Sequence, residues 1–363
     1  MTWTIAGQQP AVNALSGAIA TGRVAHAYLF VGPKHTGKTL TALQFAQALN
    51  CTGAEPPCQR CRQCERIAAG AHPDVEIVTV GGLCDPPPNS EKHDHATDNS
   101  RDIRICQIRR ISRIVSRAPY EGTTRVIIIE PADTMNEQTT NALLKTLEEP
   151  PPHTVIILIT DREEMLLETI RSRTRRVAFT GMPQAAIEHA LRDRWDVEPQ
   201  RAAQLARLSS GRLGWAVIAL HDERAMQDRE DAIERAETLA GGPLAARFAF
   251  AGSLGGSYTK DRAHVHAVLE VWQAWWRDIL LIAAGRENEA IHRDRLDRLR
   301  PLASQCGVRG AVRALRAIAD ARQQLDENAS PVLALEVMML ALPELQPNPV
   351  AERLTAGSEA ERT

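Results

Sequence analysis

The 363-residue chain is poor in lysine, in aromatic residues and in net charge. Lys34, Lys38, Lys92, Lys145 and Lys260 are its lysines, and the remaining cations are arginine. Coding bias is the plain account of that preference, and it makes a lysine inside a motif more informative than usual. Lys+Arg 43 against Asp+Glu 45 leaves a net charge of -2. No basic field covers the whole molecule, so a tight unaided grip on nucleic acid is not expected. No apolar run reaches the roughly 18 residues of a membrane span. Even the stretch from Trp272 to Ala284 is interrupted by Arg277 and Asp278. The opening MTWTIAGQQP has no charged-then-apolar signal pattern, which points to a cytoplasmic location and no membrane partner. Seven cysteines, an odd number, argue against a disulfide framework in such a compartment.

What is present is an ordinary globular balance, 44% apolar and 24% charged, in a chain long enough for two or three domains at about 150 residues each. Val12, Leu15 and Ile19 recur at helical spacing over residues 11–22. Ala27 to Val31 is a short buried-strand run, and Leu40 to Leu49 regains helical period. Strands are further expected at Asp74 to Val80, Arg125 to Glu130, Thr154 to Thr160 and Arg175 to Phe179. Helices fall between them at Ile103 to Val115 and at Glu137 to Glu149, the latter stopped by Pro150, Pro151 and Pro152. Nearly all-apolar strands alternating with helices predict a parallel sheet covered on both faces. The proline-rich stretch from Gly81 to Arg101, with His93 and His95, reads as a mobile loop. From Pro183 onward only helical periodicity remains, with a break at Gly241-Gly242-Pro243 and a polar tail from about Gln346.

Gly32-Pro33-Lys34-His35-Thr36-Gly37-Lys38-Thr39 fits G-x-x-x-x-G-K-[ST] between a strand and a helix. Gly32 and Gly37 let backbone N–H groups turn toward phosphate oxygens, Lys38 would reach the β- and γ-phosphates, and Thr39 would hold Mg²⁺. The alternative is a glycine-rich turn without nucleotide. A hydrolase of this kind needs an acid on a later strand for Mg²⁺ and a carboxylate after it to orient water. Here Glu130 takes the metal-side position and Pro131 follows it. Proline cannot act as a base, so the site is expected to bind ATP with Mg²⁺ and to hydrolyse it weakly or not at all. Asp133 is expected to point elsewhere or to cap the next helix.

Cys51-x6-Cys58-x2-Cys61-x2-Cys64 offers four thiolates in a short loop. C-x2-C turns place two thiolates on one metal, and four ligands with no open position predict a structural Zn²⁺ knob. The alternative is a redox C-x-x-C pair. Cys84, His93 and His95 are too irregularly spaced to read as a second metal site, and Cys106 and Cys306 read as small buried residues.

These residues resemble a specific family. His26-Ala27-Tyr28-Leu29-Phe30, the four-cysteine knob and His72-Pro73-Asp74-Val75 are similar to bacterial clamp-loader ATPase subunits. So are the string from Asn141 to Pro151 and Thr169-Ile170-Arg171-Ser172-Arg173-Thr174, where Thr174 stands in place of the family's usual Cys. The second half is similar more loosely, through Trp272-x3-Trp276-Arg277-Asp278 and Asn328 to Leu335. Motor members (gamma/tau) carry Asp-Glu on the second strand, whereas Glu130-Pro131-Ala132-Asp133 is similar to the delta-prime kind, which lacks that Glu.

The resemblance implies an α/β plus all-α fold of AAA+ type. A RecA-like P-loop domain with a parallel sheet would span residues 1–179 and a small helical lid 180–240. A helical collar would span 241–345, and a disordered tail 346–363. It implies a hetero-pentamer with gamma/tau and delta subunits, a component of the DNA polymerase III holoenzyme, that loads a sliding clamp onto primer-template DNA. Arg173 would be the arginine finger given to a neighbour's ATP site, and Thr160 the residue that senses the γ-phosphate. Arg212 is a weak candidate lid arginine, since the motor's arginine aligns nearer Gly214. Trp272, Trp275 and Trp276, at helical spacing, read as packing rather than base stacking. A gamma/tau-type motor and an unrelated zinc-binding AAA+ scaffold remain the competing readings.

Overall fold

The computed structural model describes residues 3–85, 102–327 and 329–346. Lys92, His93, His95, Asn328, residues 86–101 of the loop expected after Gly81, and the tail beyond Gln346 lie outside the described residues. The chain divides into two compact units, Met1–Val217 and Ile218–Thr363.

The first unit opens with α1 (Gln9–Ala20), β1 (Ala27–Val31), α2 (Lys38–Asn50), α3 (Arg62–Ala68) and β2 (Val75–Val78). It continues with α4 (Ile105–Val115), β3 (Arg125–Ile129), α5 (Glu137–Glu148), β4 (Thr154–Thr160), the short α6 (Glu168–Arg171) and β5 (Arg175–Ala178). The strands form one parallel sheet in the order β2-β3-β4-β1-β5. Alternation along β1, β3 and β4 splits their side chains between two cores. Leu29, Ile127, Ile129, Ile156 and Leu158 face α4, α5 and α6 through Ile108, Ile111, Leu143, Leu147 and Ile170. Tyr28, Phe30, Val126, Ile128 and Ile157 face α1 and α2 through Leu15, Ala42, Phe45 and Ala46. Each fully buried Ile or Leu contributes about 1.5–3 kcal/mol, so these three strands anchor the unit. Then come α7 (Gln184–Trp195), α8 (Pro199–Leu208) and the start of α9 (Leu213–His221).

Beyond the end of α9 the second unit is helical among its described residues: α10 (Glu223–Ala240), α11 (Leu244–Ser257), α12 (Arg262–Ala283), α13 (Leu296–Asp326) and α14 (Pro331–Ala341). α13 is broken at Gly307, whose φ of 60° and ψ of 176° are not helical. Trp272, Trp275 and Trp276 are all buried in this core, and Trp272 Nε1–H donates to Ala232 O at 2.9 Å. Their burial leaves no ring face for a nucleobase. Arg247 is buried among backbone carbonyls. Its guanidinium donates to Leu239 O, Ala240 O, Leu342 O and Pro343 O at 2.9 to 3.1 Å, which closes the C-terminal ends of α10 and α14. Helix C-termini carry partial negative charge, and that offsets burial of the cation.

The α/β plus all-α class is as expected. The division at Val217 falls inside the segment expected as the lid, residues 180–240, and the other differences are smaller. The four-cysteine segment is not all loop, because Cys61 caps α3 and Cys64 lies in its first turn. Cys106 is buried, whereas Cys306 is only partly so. No helix among the described residues is long and apolar enough to cross a membrane.

Candidate functional site

The strand order sets β3, β4 and β1 side by side, so the segments leaving their C-terminal ends converge, as ligand sites of parallel sheets do. Gly32 leaves β1 at φ 146°, close against the Phe179 carbonyl, where any Cβ would collide. Gly37 begins α2 in the left-handed region, and no acidic residue occupies the first turn of that helix. Its N–H groups therefore present their positive end toward the loop, with no acid in the helix's own first turn to offset it.

Lys38 is 6% exposed. Its ammonium donates to Gly32 O at 2.6 Å and Pro33 O at 2.7 Å. Burial lowers its pKa, against the opposing pull of Asp161 and Glu130. Thr39 Oγ1–H faces both oxygens of Glu130, at 2.9 and 2.7 Å. A hydroxyl and a carboxylate facing each other beside a helix N-terminus are the hard oxygen donors that suit Mg²⁺. The donor set thus fits a magnesium nucleotide: Lys38 and the loop N–H groups for phosphate oxygens, Thr39 and Glu130 for the metal.

After Glu130 the chain turns through Pro131. The next carboxylate, Asp133, has a side chain only 1% exposed. It neither caps α5, which Asn136 does by accepting from Thr139 N–H, nor faces solvent. Instead Asp133 Oδ1 accepts from Thr160 Oγ1 at 2.7 Å, and Oδ2 pairs with the guanidinium of Arg162, Nε lying at 2.9 Å. Thr160 Oγ1 in turn accepts from Arg162 N–H at 2.9 Å. Lys34 and Asp161 form a looser pair at 3.9 Å between the phosphate loop and the exit of β4.

The structure brings Gly32, Gly37, Lys38, Thr39, Glu130 and Thr160 to this one end of the sheet. Arg173 has partners elsewhere, on α5 and α6: Nη2 lies 2.8 Å from Glu148 Oε1, and Nη1–H donates to Thr169 O at 3.1 Å. Arg212 directs Nε–H to Ser209 O at 3.1 Å. Two further residues carry no motif signal. Gly214 N–H donates to His35 O at 2.9 Å, so close that a Cβ would lie 2.7 Å from that oxygen. Buried Gln8 donates to Thr180 O at 2.8 Å and ties the N-terminal segment to the end of the sheet.

The second cluster is Cys51, Cys58, Cys61 and Cys64, whose four Sγ atoms lie within 4.8 Å of one another. Cys51 and Cys61 Sγ are 3.9 Å apart. A tetrahedral Zn²⁺ with Zn–S bonds of about 2.3 Å needs thiolates about 3.8 Å apart, so the group fits a closed zinc site. Gly53 N–H and Cys61 N–H point at Cys51 and Cys58 Sγ at 3.3 Å; backbone N–H groups lower the pKa of Cys58, whereas burial outweighs them at Cys51 and raises its pKa. Burial pushes the Cys61 thiol up, but N–H groups of Cys64 and Thr52 outweigh it and bring its pKa to about 5.

A family model described as DNA polymerase III, delta subunit, matches residues 7–183. The DNA polymerase III subunit delta' of Bacillus subtilis (strain 168) is 31% identical over 338 residues, 93% of this chain and 96% of that protein. That of Pseudomonas aeruginosa is 33% identical over 229 residues, 61% of this chain and 63% of that one. Subunit tau of Bacillus subtilis is 36% identical over 185 residues, 50% of this chain but 30% of tau.

Proposed function

The chain belongs to the DNA polymerase III delta-prime family, and from that membership we propose that it works in the clamp loader as a non-motor subunit. In this reading it assembles with gamma/tau and delta subunits and helps place the sliding clamp on primer-template DNA. It holds a fixed position in the ring and lends Arg173 to a neighbour's ATP site. The observation that carries the reading is the exit of β3. Glu130 faces Thr39, Pro131 follows, and Asp133 is tied to Thr160 and Arg162. No carboxylate at that exit is left to orient a water on a γ-phosphate, so the chain's own turnover is weak or absent. A bound magnesium nucleotide would supply a phosphoanhydride that this chain holds without a base to break it.

Zinc at the four cysteines has a structural part here: it would pin the N-terminus of α3 to the end of α2. The motor reading draws on the intact phosphate loop and on the likeness to tau. ATP turnover of the isolated chain separates the two. Little or no turnover is expected; motor-like turnover abolished by Lys38→Ala would replace the proposal.

A further inference from the structure

We propose that the second unit carries a docking groove for an acidic amphipathic helix of another protein. The groove lies between α13 and α14 and has a volume of about 490 Å³. One wall is α14, whose charged residue is Glu336 alone. Ala334, Leu335, Met338 and Met339, on the inner side of α14, are buried in the helical core. Leu333, Val337 and Leu340, at i, i+4 and i+7, are 59%, 49% and 59% exposed on the other side. A helix that is apolar on both sides is built to be covered on both. Val308 of α13, also exposed, lines the groove together with Val337 and extends the bare apolar surface.

The other wall is basic. Arg309, Arg313 and Arg316 line it with the same i, i+4, i+7 spacing, and all three are exposed. Their side chains make no ion pair or hydrogen bond with a described residue. Other arginines of α13 do: Arg298 meets Glu237, Arg300 meets Glu287, and Arg322 meets Glu270. Asp320 also lines the groove, and three arginines against one aspartate leave it net positive. Arg309 and Arg316 are two helical turns apart, about 10 Å along the axis. A helix laid along the groove presents its own side chains at that interval. Carboxylates on one of its rows would meet the three guanidinium groups, while an adjoining apolar row covers Val308 and Val337. The planar fork of arginine suits a carboxylate, and a bare apolar stripe rimmed by charge marks a protein surface. Nucleic acid fits less well, because the lining holds no aromatic ring on which a base could stack. The inference stands on this unit alone and requires neither a nucleotide nor a place in the clamp loader.

The test uses the full chain and two synthetic helical peptides, read by fluorescence anisotropy. One peptide carries a leucine row beside a glutamate row; the other has lysine in place of each glutamate. The glutamate peptide should bind about tenfold more tightly than the lysine peptide, with the difference shrinking as salt rises. Arg313→Glu should weaken the glutamate peptide about tenfold and strengthen the lysine peptide. Val337→Asp, which places a charge in the apolar stripe, should weaken the glutamate peptide as well. Both positions are exposed, and circular dichroism checks that the variants fold. No binding of the glutamate peptide, equal binding of the two peptides, or binding that ignores both substitutions overturns the proposal. So does self-association of the chain that Val337→Asp abolishes, which gives the face to a second copy. Binding of an oligo-dT strand that Arg313→Glu abolishes gives the groove to nucleic acid and overturns it too.

Discussion

Replacing Arg173 by alanine separates a structural role from a role in a neighbour's active site. Within this chain Arg173 pairs with Glu148 across a surface where their side chains are 38% and 50% exposed. Exposed ion pairs contribute about 0–1 kcal/mol. The other contact, to Thr169 O, is exposed as well, so water replaces the lost donor. At about 2–4 °C per kcal/mol for a unit of this size, Arg173→Ala should shift the melting temperature of the first unit by no more than about 4 °C. As an arginine finger the same side chain is worth about 10³–10⁵ in turnover, or about 4–7 kcal/mol of barrier. The two quantities differ enough that one pair of measurements decides. Reconstituted loader carrying Arg173→Ala should assemble normally. In single-turnover hydrolysis it should lose most of the rate at the site that receives the finger. Arg173→Lys keeps the charge but loses the planar fork, and should restore little. Glu148→Ala breaks the same contact from the other side and should leave hydrolysis unchanged. Full DNA-stimulated turnover with Arg173→Ala, or an equal loss with Glu148→Ala, would refute the finger.

Two further outcomes can be checked on the isolated chain. In the helical unit His292 is buried between Asp278, which accepts from Nδ1 at 2.6 Å, and Arg229, whose Nη2 lies 2.6 Å from Nε2. Burial, reinforced by Arg229, lowers its pKa below 6.5 against the pull of Asp278. The unfolded chain therefore takes up a proton that the folded unit refuses, so stability should fall as pH drops below 6.5, and His292→Gln should flatten that slope in thermal melts. At the cysteine cluster, Cys58→Ser with Cys61→Ser should lower the melting temperature and release about one zinc per chain. Metal analysis finding no zinc in the unsubstituted protein would end the zinc assignment.

How much of this was legible in the sequence follows from where each signal is stored. β1, β3 and β4 are covered on both faces, so their runs of Ile, Val and Leu announce themselves without any partner being known. α3 escapes because it has only seven residues, and of these Cys64 and Ile67 alone are buried, too few to mark a period. The phosphate loop is legible because its chemistry is local: glycines, Lys38 and Thr39 adjoin one another in the chain. Pairing is not local. Asp133 and Arg162 are 29 residues apart, and nothing in either neighbourhood says that one holds the other. Arg247 is harder still, a charged residue whose partners are backbone carbonyls, two of them 95 and 96 residues away. Carbonyls carry no letter in the sequence, so a cation that depends on them reads as an ordinary surface residue.

The same distinction bears on what an intact phosphate loop means. Gly32 is required by the close approach of Phe179 O, and Lys38 bonds two loop carbonyls at 2.6 and 2.7 Å. The turn from β1 to α2 is thus held by the very residues that make the motif. Loss of Lys38 would remove the donor those two carbonyls share, a cost independent of any nucleotide and eased by water at the exposed Pro33. Retention of G-x-x-x-x-G-K-T is therefore compatible with a subunit that never hydrolyses. What bears on hydrolysis is the neighbouring set, Glu130, Pro131, Asp133 and Thr160, where the polar groups face one another. A chain that turned over ATP would need one of those carboxylates released toward the loop. In the proposed reading the bonds from Thr39, Thr160 and Arg162 hold each of them back.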